Sequence, residues 1–227
     1  MTTDLLERPI WHALNGRQFA LGVGEGRARR YREDVSPFVA CADDSVEALA
    51  DVAPLLPEKG WLLFLQAGTP PLPPGCREVE RGVGVQMVAR GFRPVERAPA
   101  IAPLSEEDWP EMLALATLTK PGPFRARTPM FGPFWGVKDP SGRLLAMAGE
   151  RLKVEGMSEV SGVCTHPDAR GRGLAGLLSA HVASEIVRRG ETPFLHAYAD
   201  NAGAIRLYEK LGFVLSREVG ALVVARP

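Results

Sequence analysis

Apolar residues recur at helical spacing between Leu174 and about Arg189, where Leu174, Leu177, Leu178, His181, Val182 and Ile186 share one face. Gly190 closes that helix. A β-type run, Glu159 to Thr165, precedes it and breaks at His166-Pro167. After it come a strand from Phe194 to Tyr198 and a helix from Asn201 to Leu211 closed by Gly212. A final hairpin is expected through Val214 and Leu222 to Val224. Upstream, Ala100 to Leu104 reads as a short strand, and Ser105, with Asp108 three residues on, caps a helix to about Thr117. Phe134 to Val137 and Leu144 to Arg151 form a hairpin around Asp139-Pro-Ser-Gly142. The intervening stretch, Thr119 to Phe131, is irregular and rich in Pro, Gly and Arg.

The first hundred residues are patterned less clearly. Phe19 to Val23 and Arg27 to Arg32 suit a hairpin around Gly24-Glu-Gly26, and Pro37 to Ala42 suits a strand. Ser45 caps a helix to Leu56, Gly60 precedes the apolar strand Trp61 to Gln66, and Thr69 to Gly75 is a Pro-rich loop. Periodicity lapses near residues 91–100, which divides the chain into residues 1–97 and residues 98–227. The order strand, helix, Gly, strand in the first part parallels Glu159 to Tyr198, as a decayed copy of the same unit would.

Composition narrows the function classes. The 27 basic and 27 acidic residues cancel, so no polybasic surface points to nucleic acid or membrane. The first residues lack the apolar core of a signal peptide, and no apolar run approaches a membrane span. Three unpatterned cysteines, Cys41, Cys76 and Cys164, fit a reducing cytoplasm. They and the four histidines show no zinc spacing, so no metal is expected.

The chemistry concentrates between strand and helix, in Val163-Cys164-Thr165-His-Pro-Asp-Ala-Arg170-Gly171-Arg172-Gly173-Leu174-Ala175-Gly176. Glycines let the backbone turn sharply and approach a ligand closely. Free N–H groups at a helix start, backed by the dipole, hold phosphate oxygens, and the arginines add fixed charge. No Lys-Ser/Thr ending follows, which excludes a nucleotide-hydrolase loop. Gly171, Gly173 and Gly176 match a bare dinucleotide-binding pattern, but the next acidic strand end is Asp200, too far along.

At these residues the chain resembles the GNAT superfamily of N-acetyltransferases. Arg170, Gly173 and Ala175 fill that family's Gln/Arg-x-x-Gly-x-Gly/Ala signature, and Asn201-Ala-Gly-Ala-Ile-Arg-Leu-Tyr208-Glu-Lys-Leu-Gly212-Phe213 resembles its second motif. The similarity covers about residues 98 to 227 and implies an α/β (α+β) fold, a mixed central sheet flanked by helices, with residues 1–97 a degenerate GNAT-like half. It implies acetyl-CoA as co-substrate, with the backbone of Val163 and Thr165 pairing the pantetheine amides. An N–H near Val163 or Cys164 would bond the thioester oxygen. The residues from Arg170 to Gly176 would hold the pyrophosphate, and Asn201 the pantetheine arm. Tyr208 takes the place of the general acid. For the base, Glu159 and His196 both occupy positions that relatives use, and release of the proton through water is the third possibility.

Cys164 has no His/Asn partner nearby in sequence, so a thiol nucleophile is disfavoured. Arg125 and Arg127 lie in the segment that lines the acceptor side in relatives and would bind an acidic group there. The expected activity is acetyl transfer to a primary amine of a small molecule or amino acid, by a monomer or homodimer. A protein N-terminus or lysine is the alternative acceptor, and a non-catalytic CoA-binding sensor the alternative class.

Overall fold

The computed structural model describes residues 4–227. Three strands, β1 (Gly22–Val23), β2 (Ala28–Tyr31) and β3 (Val39–Cys41), form a small antiparallel sheet. All the others join one eight-stranded sheet: β4 (Leu62–Ala67), β5 (Arg77–Ala89), β6 (Ala102–Pro103), β7 (Phe134–Lys138), β8 (Leu144–Val154), β9 (Met157–Thr165), β10 (Thr192–Tyr198) and β11 (Phe213–Ala225). The helices are α1 (Pro9–Leu14), α2 (Val46–Ala50), α3 (Trp109–Thr119), α4 (Leu174–Arg188) and α5 (Ala202–Lys210). Among the described residues no helix is long and apolar enough to cross a membrane.

The sheet order is β4-β11-β5-β10-β9-β8-β7-β6. The expected division at residues 97 and 98 falls in the irregular stretch between β5 and β6, yet it does not separate two sheets. β5 lies between β10 and β11, and β11 lies between β4 and β5. Two expectations change accordingly. The terminal hairpin is instead one long strand, because β5 takes the place its second strand would have filled and pairs β11 from Phe213↔Ala89 to Ala225↔Arg77. β5 itself is absent from the sequence reading. Its first seven residues are exposed on both faces and its last residues are buried on both, so period-two alternation is blurred.

The two halves interlock through β5 and β11. β4 pairs the later part of β11, and β10 pairs the later part of β5, both antiparallel. Ala67, Val219, Gly84 and Tyr198 form a single cross-strand row through the centre. The segment β3-α2-β4 leads into β5 as β9-α4-β10 leads through α5 into β11. Each half thus lends its last long strand to the other's edge, which leaves neither half an independent sheet.

The main core lies between α4 and the sheet, where Leu174, Leu178, Val182 and Ile186 meet Val85, Met87, Ala146 and Leu195. On the same face α2 covers Leu62, Phe64, Leu222 and Val224. The opposite face carries α1, packed with Tyr31 and Phe38 over Val88 and Phe194, and α3, packed over Phe134, Met147 and Cys164. The Ser105–Asp108 cap forms as expected, the Asp108 carboxylate accepting the Ser105 N–H at 2.7 Å. Ser45 likewise caps α2 through Ala48 N–H, although Pro54 shortens that helix to five residues followed by a 3-10 turn.

Candidate active site

β9 and β10 run parallel but pair only at their starts, from Thr192↔Met157 to Phe194↔Glu159. Beyond Glu159, β9 keeps β8 as its partner and β10 keeps β5, so the two strands part. The facing backbone of Val163 to Thr165 is left without a ladder partner in β10, and an amide-bearing ligand can satisfy such groups. At the mouth of the gap stands the N-terminus of α4, fifteen residues long and without a side-chain cap. Gly171 and Gly173 hold φ of 76° and 73°, left-handed values that favour glycine, and an added Cβ at either would meet nothing within 4 Å.

A cavity of about 960 Å³ follows the gap. Val163, Cys164, Thr165, Arg170, Gly171, Gly173, Leu174, Ala175, Gly176, Asn201, Tyr208 and His196 all line it, so residues separated by 45 positions in sequence converge. Arg172 is exposed and is not among the residues that line it. Asn201 caps α5, its Oδ1 accepting Ala204 N–H at 3.0 Å while the residue also borders the cavity. Tyr208 is buried, packs edge-on to Phe213, and burial pushes its phenol up to about 12. It therefore stays protonated at neutral pH and available as a donor. Cys164 is buried too, and desolvation, only partly offset by Thr119, pushes its thiol up to about 11, the opposite of an activated nucleophile.

Glu159 and His196 turn out to be one assembly. Glu159 is fully buried and is not among the residues lining the cavity. Its carboxylate accepts Arg151 Nε at 2.8 Å, Arg151 Nη2 at 2.6 Å and Leu152 N–H at 3.2 Å, and lies 2.7 Å from His196 Nδ1. Burial alone would raise its pKa, but the Arg151 guanidinium and then His196 hold it at about 2. An ionised carboxylate only accepts, so Nδ1 of His196 carries the proton. On the other side of the ring, Gln86 Nε2 lies 3.0 Å from His196 Nε2 and donates to the Leu6 carbonyl at 2.9 Å. A carbonyl only accepts, which fixes the amide nitrogen toward the ring and makes Nε2 an acceptor. Gln86, fully buried on β5, is a site residue that the sequence reading missed together with its strand.

Arg125 and Arg127 do not reach the cavity. Arg125 stacks over Trp61, 5.5 Å from the ring centroid, and Arg127 pairs with Asp34 at 3.7 Å. Both are used in holding the irregular segment against the first half. Arg151, buried beside Glu159, lines the cavity together with Arg170.

The gap in the first half corresponding to the β9–β10 opening is occupied by the chain itself. Among the described residues the chain entering β3 pairs with β4 only through the bridge Phe38↔Leu63, and α1 and the residues before it pack beyond. The Glu7 carbonyl accepts Ala67 N–H at 2.8 Å, and Arg8 pairs with Asp44 at 2.8 Å and donates to Gln66 at 3.1 Å.

Residues 139–220 match the family described as FR47-like protein. The chain is similar over its whole length to a solved structure from Novosphingobium aromaticivorans DSM 12444, described as a putative acetyltransferase from the GNAT family. The identity is 42%, the TM-score 0.92, and 98% of each chain is covered. A GCN5-related N-acetyltransferase from Kribbella flavida shares the fold at TM-score 0.66 and 19% identity, covering 100% of this chain and 97% of that one. The mycothiol acetyltransferase of Mycobacterium sp. (strain JLS) is 33% identical over 90 residues, which is 37% of this chain but 30% of that protein. The chain thus matches less than a third of that relative's length.

Proposed function

This chain belongs to the GNAT family of N-acetyltransferases, and on that premise we propose that it moves the acetyl group of acetyl-CoA to a primary amine, on a small molecule or amino acid, by direct attack. The observation that carries the reading is the convergence of three features on one cavity: the unpaired backbone of Val163 to Thr165, the glycine turn before α4, and the side chains of Tyr208 and His196. The first two suit a ligand with amides at one end and phosphates at the other.

In the proposed reaction the amine nitrogen bonds to the acetyl carbon and the carbon–sulfur bond breaks, giving an amide and the free CoA thiol. The ammonium loses one proton before attack and the nitrogen a second as the adduct collapses; the departing sulfur takes one proton up. A backbone N–H at Val163 or Cys164 faces the developing oxyanion. Tyr208, protonated and buried, donates toward the departing sulfur. His196 is the base that the geometry favours, since it borders the cavity and its Nε2 carries the lone pair. Glu159 acts behind it as a positioning residue, fixing the tautomer and compensating the charge His196 gains. Gln86 must give up its bond to Nε2 as the ammonium arrives. Asp43, Asp44 and the inserted N-terminal segment leave no phosphate site in the first half, which supports a decayed first copy and one cofactor per chain.

The test is release of CoA thiol from acetyl-CoA with a panel of amino acids, polyamines, aminoglycosides and peptides. Turnover with small amines supports the reading, and turnover confined to peptides would transfer it to protein acceptors. Stabilisation by acetyl-CoA without turnover on any amine would refute it in favour of a sensor.

A further inference from the structure

The cavity continues past the catalytic groups along strands of the first half. Gly82, Gly84 and Gln86 alternate with Val83, Val85 and Met87 on β5 and so share the face on which Gln86 meets His196. Leu65, Ala221 and Gly82 form one cross-strand row of that face, and all three line the cavity. Gly82, with open space where a side chain would stand, and Ala221 leave a hollow in the sheet, which Val219 borders at the Gly84 end. Leu63, Leu65 and Phe38 supply an apolar wall beside it. From Gly84 to Glu80 this trough runs roughly 13 Å, four residues at about 3.3 Å each. At its outer end Glu80 lines the cavity and, among the described residues, makes no ion pair.

We propose that this trough is the acceptor subsite and that it takes a primary amine carried on an unbranched apolar chain. The inference rests on the transferase reading above and adds the acceptor's shape. A narrow floor of small residues, opened at Gly82, admits a straight chain lengthwise and excludes branched or ring-bearing bodies. The apolar wall gains from each methylene buried. The uncompensated carboxylate of Glu80 disfavours acceptors that carry acidic groups. Because the wall and most of the floor come from Phe38, β4 and β5, the first half contributes specificity while the second holds the cofactor.

The experiment compares primary alkylamines from ethylamine to octylamine with valine and glutamate as acceptors, in the wild type and in Gly82→Leu. In the wild type kcat/KM rises along the alkyl series by up to about fourfold per methylene, the gain that burying one methylene corresponds to. Valine and glutamate are poor acceptors. Gly82 has no positive φ and its added Cβ meets nothing within 4 Å, so Leu is accommodated without backbone strain and projects into the trough. The variant keeps the melting shift given by acetyl-CoA but loses the dependence on chain length and at least tenfold in kcat/KM for octylamine. Gly82→Ala gives an intermediate loss and guards against misfolding of the larger substitution. A flat alkyl series, or Gly82→Leu and Gly82→Ala both matching the wild type on octylamine, overturns the trough. Transfer to valine or glutamate but not to alkylamines overturns it while leaving the transferase reading intact. Binding of acetyl-CoA without transfer to any amine overturns both.

Discussion

Replacing Glu159 by Gln removes one charge from a fully buried position. Arg151 would be left with an uncompensated guanidinium, its side chain only 11% exposed. The carboxyl is held at about 2 against an ordinary 4.5, and Gln mimics the protonated form. The ionised form therefore contributes roughly 3 kcal/mol at neutral pH. Breaking a buried pair from one side costs about 3–5 kcal/mol by general experience, which agrees. For a chain of this length that corresponds to a fall of about 6–12 °C in Tm. The pH dependence is the sharper test. A depressed folded pKa gives stability that is fully present above the unfolded value near 4.5 and lost as pH falls through the folded value near 2. Urea unfolding of the wild type and E159Q should thus differ by roughly 3 kcal/mol at pH 7 and by about half that at pH 3. A difference below about 1 kcal/mol at pH 7, or one unchanged at pH 3, would refute the buried ionised pair.

Three further outcomes follow from the same geometry. Gly173→Val should abolish the rise in Tm that acetyl-CoA gives the wild type, because φ of 73° strains a β-branched residue and its side chain enters the cavity; normal binding would move the phosphate site elsewhere. Tyr208→Phe should lower kcat by about 10²–10⁴ with cofactor affinity within a few-fold, and an unchanged kcat in single turnover would make the ring purely structural. A fragment of residues 98–227 should be insoluble or inactive, because it bares the edges of β10 and β11 and removes Val85 and Met87 from the main core; a soluble, active fragment would contradict the shared sheet.

Features whose physics is local can be read from the amino-acid order alone. The glycine turn, the face of α4, the caps at Ser45 and Ser105 and the order of elements from β7 to α5 depend on residues within a few positions of one another. The cofactor side of the cavity was legible for the same reason: strand, turn and helix N-terminus are contiguous in the chain. Tertiary structure decided what depends on distant partners. The strand β5 is specified by the neighbours that sandwich it, not by its own alternation, and its insertion turned an expected hairpin into the single strand β11. Glu159 and His196 looked like rival bases because sequence carries no distances; parallel pairing of β9 and β10 puts them in contact and Arg151 settles the carboxylate's charge. Arg125 and Arg127 are in the expected segment, but only packing could show that Trp61 and Asp34 engage them. The hollow at Gly82 arises because two halves of one chain exchange strands. Glycine in a strand is invisible as a site until a neighbouring sheet edge and a cavity are built around it.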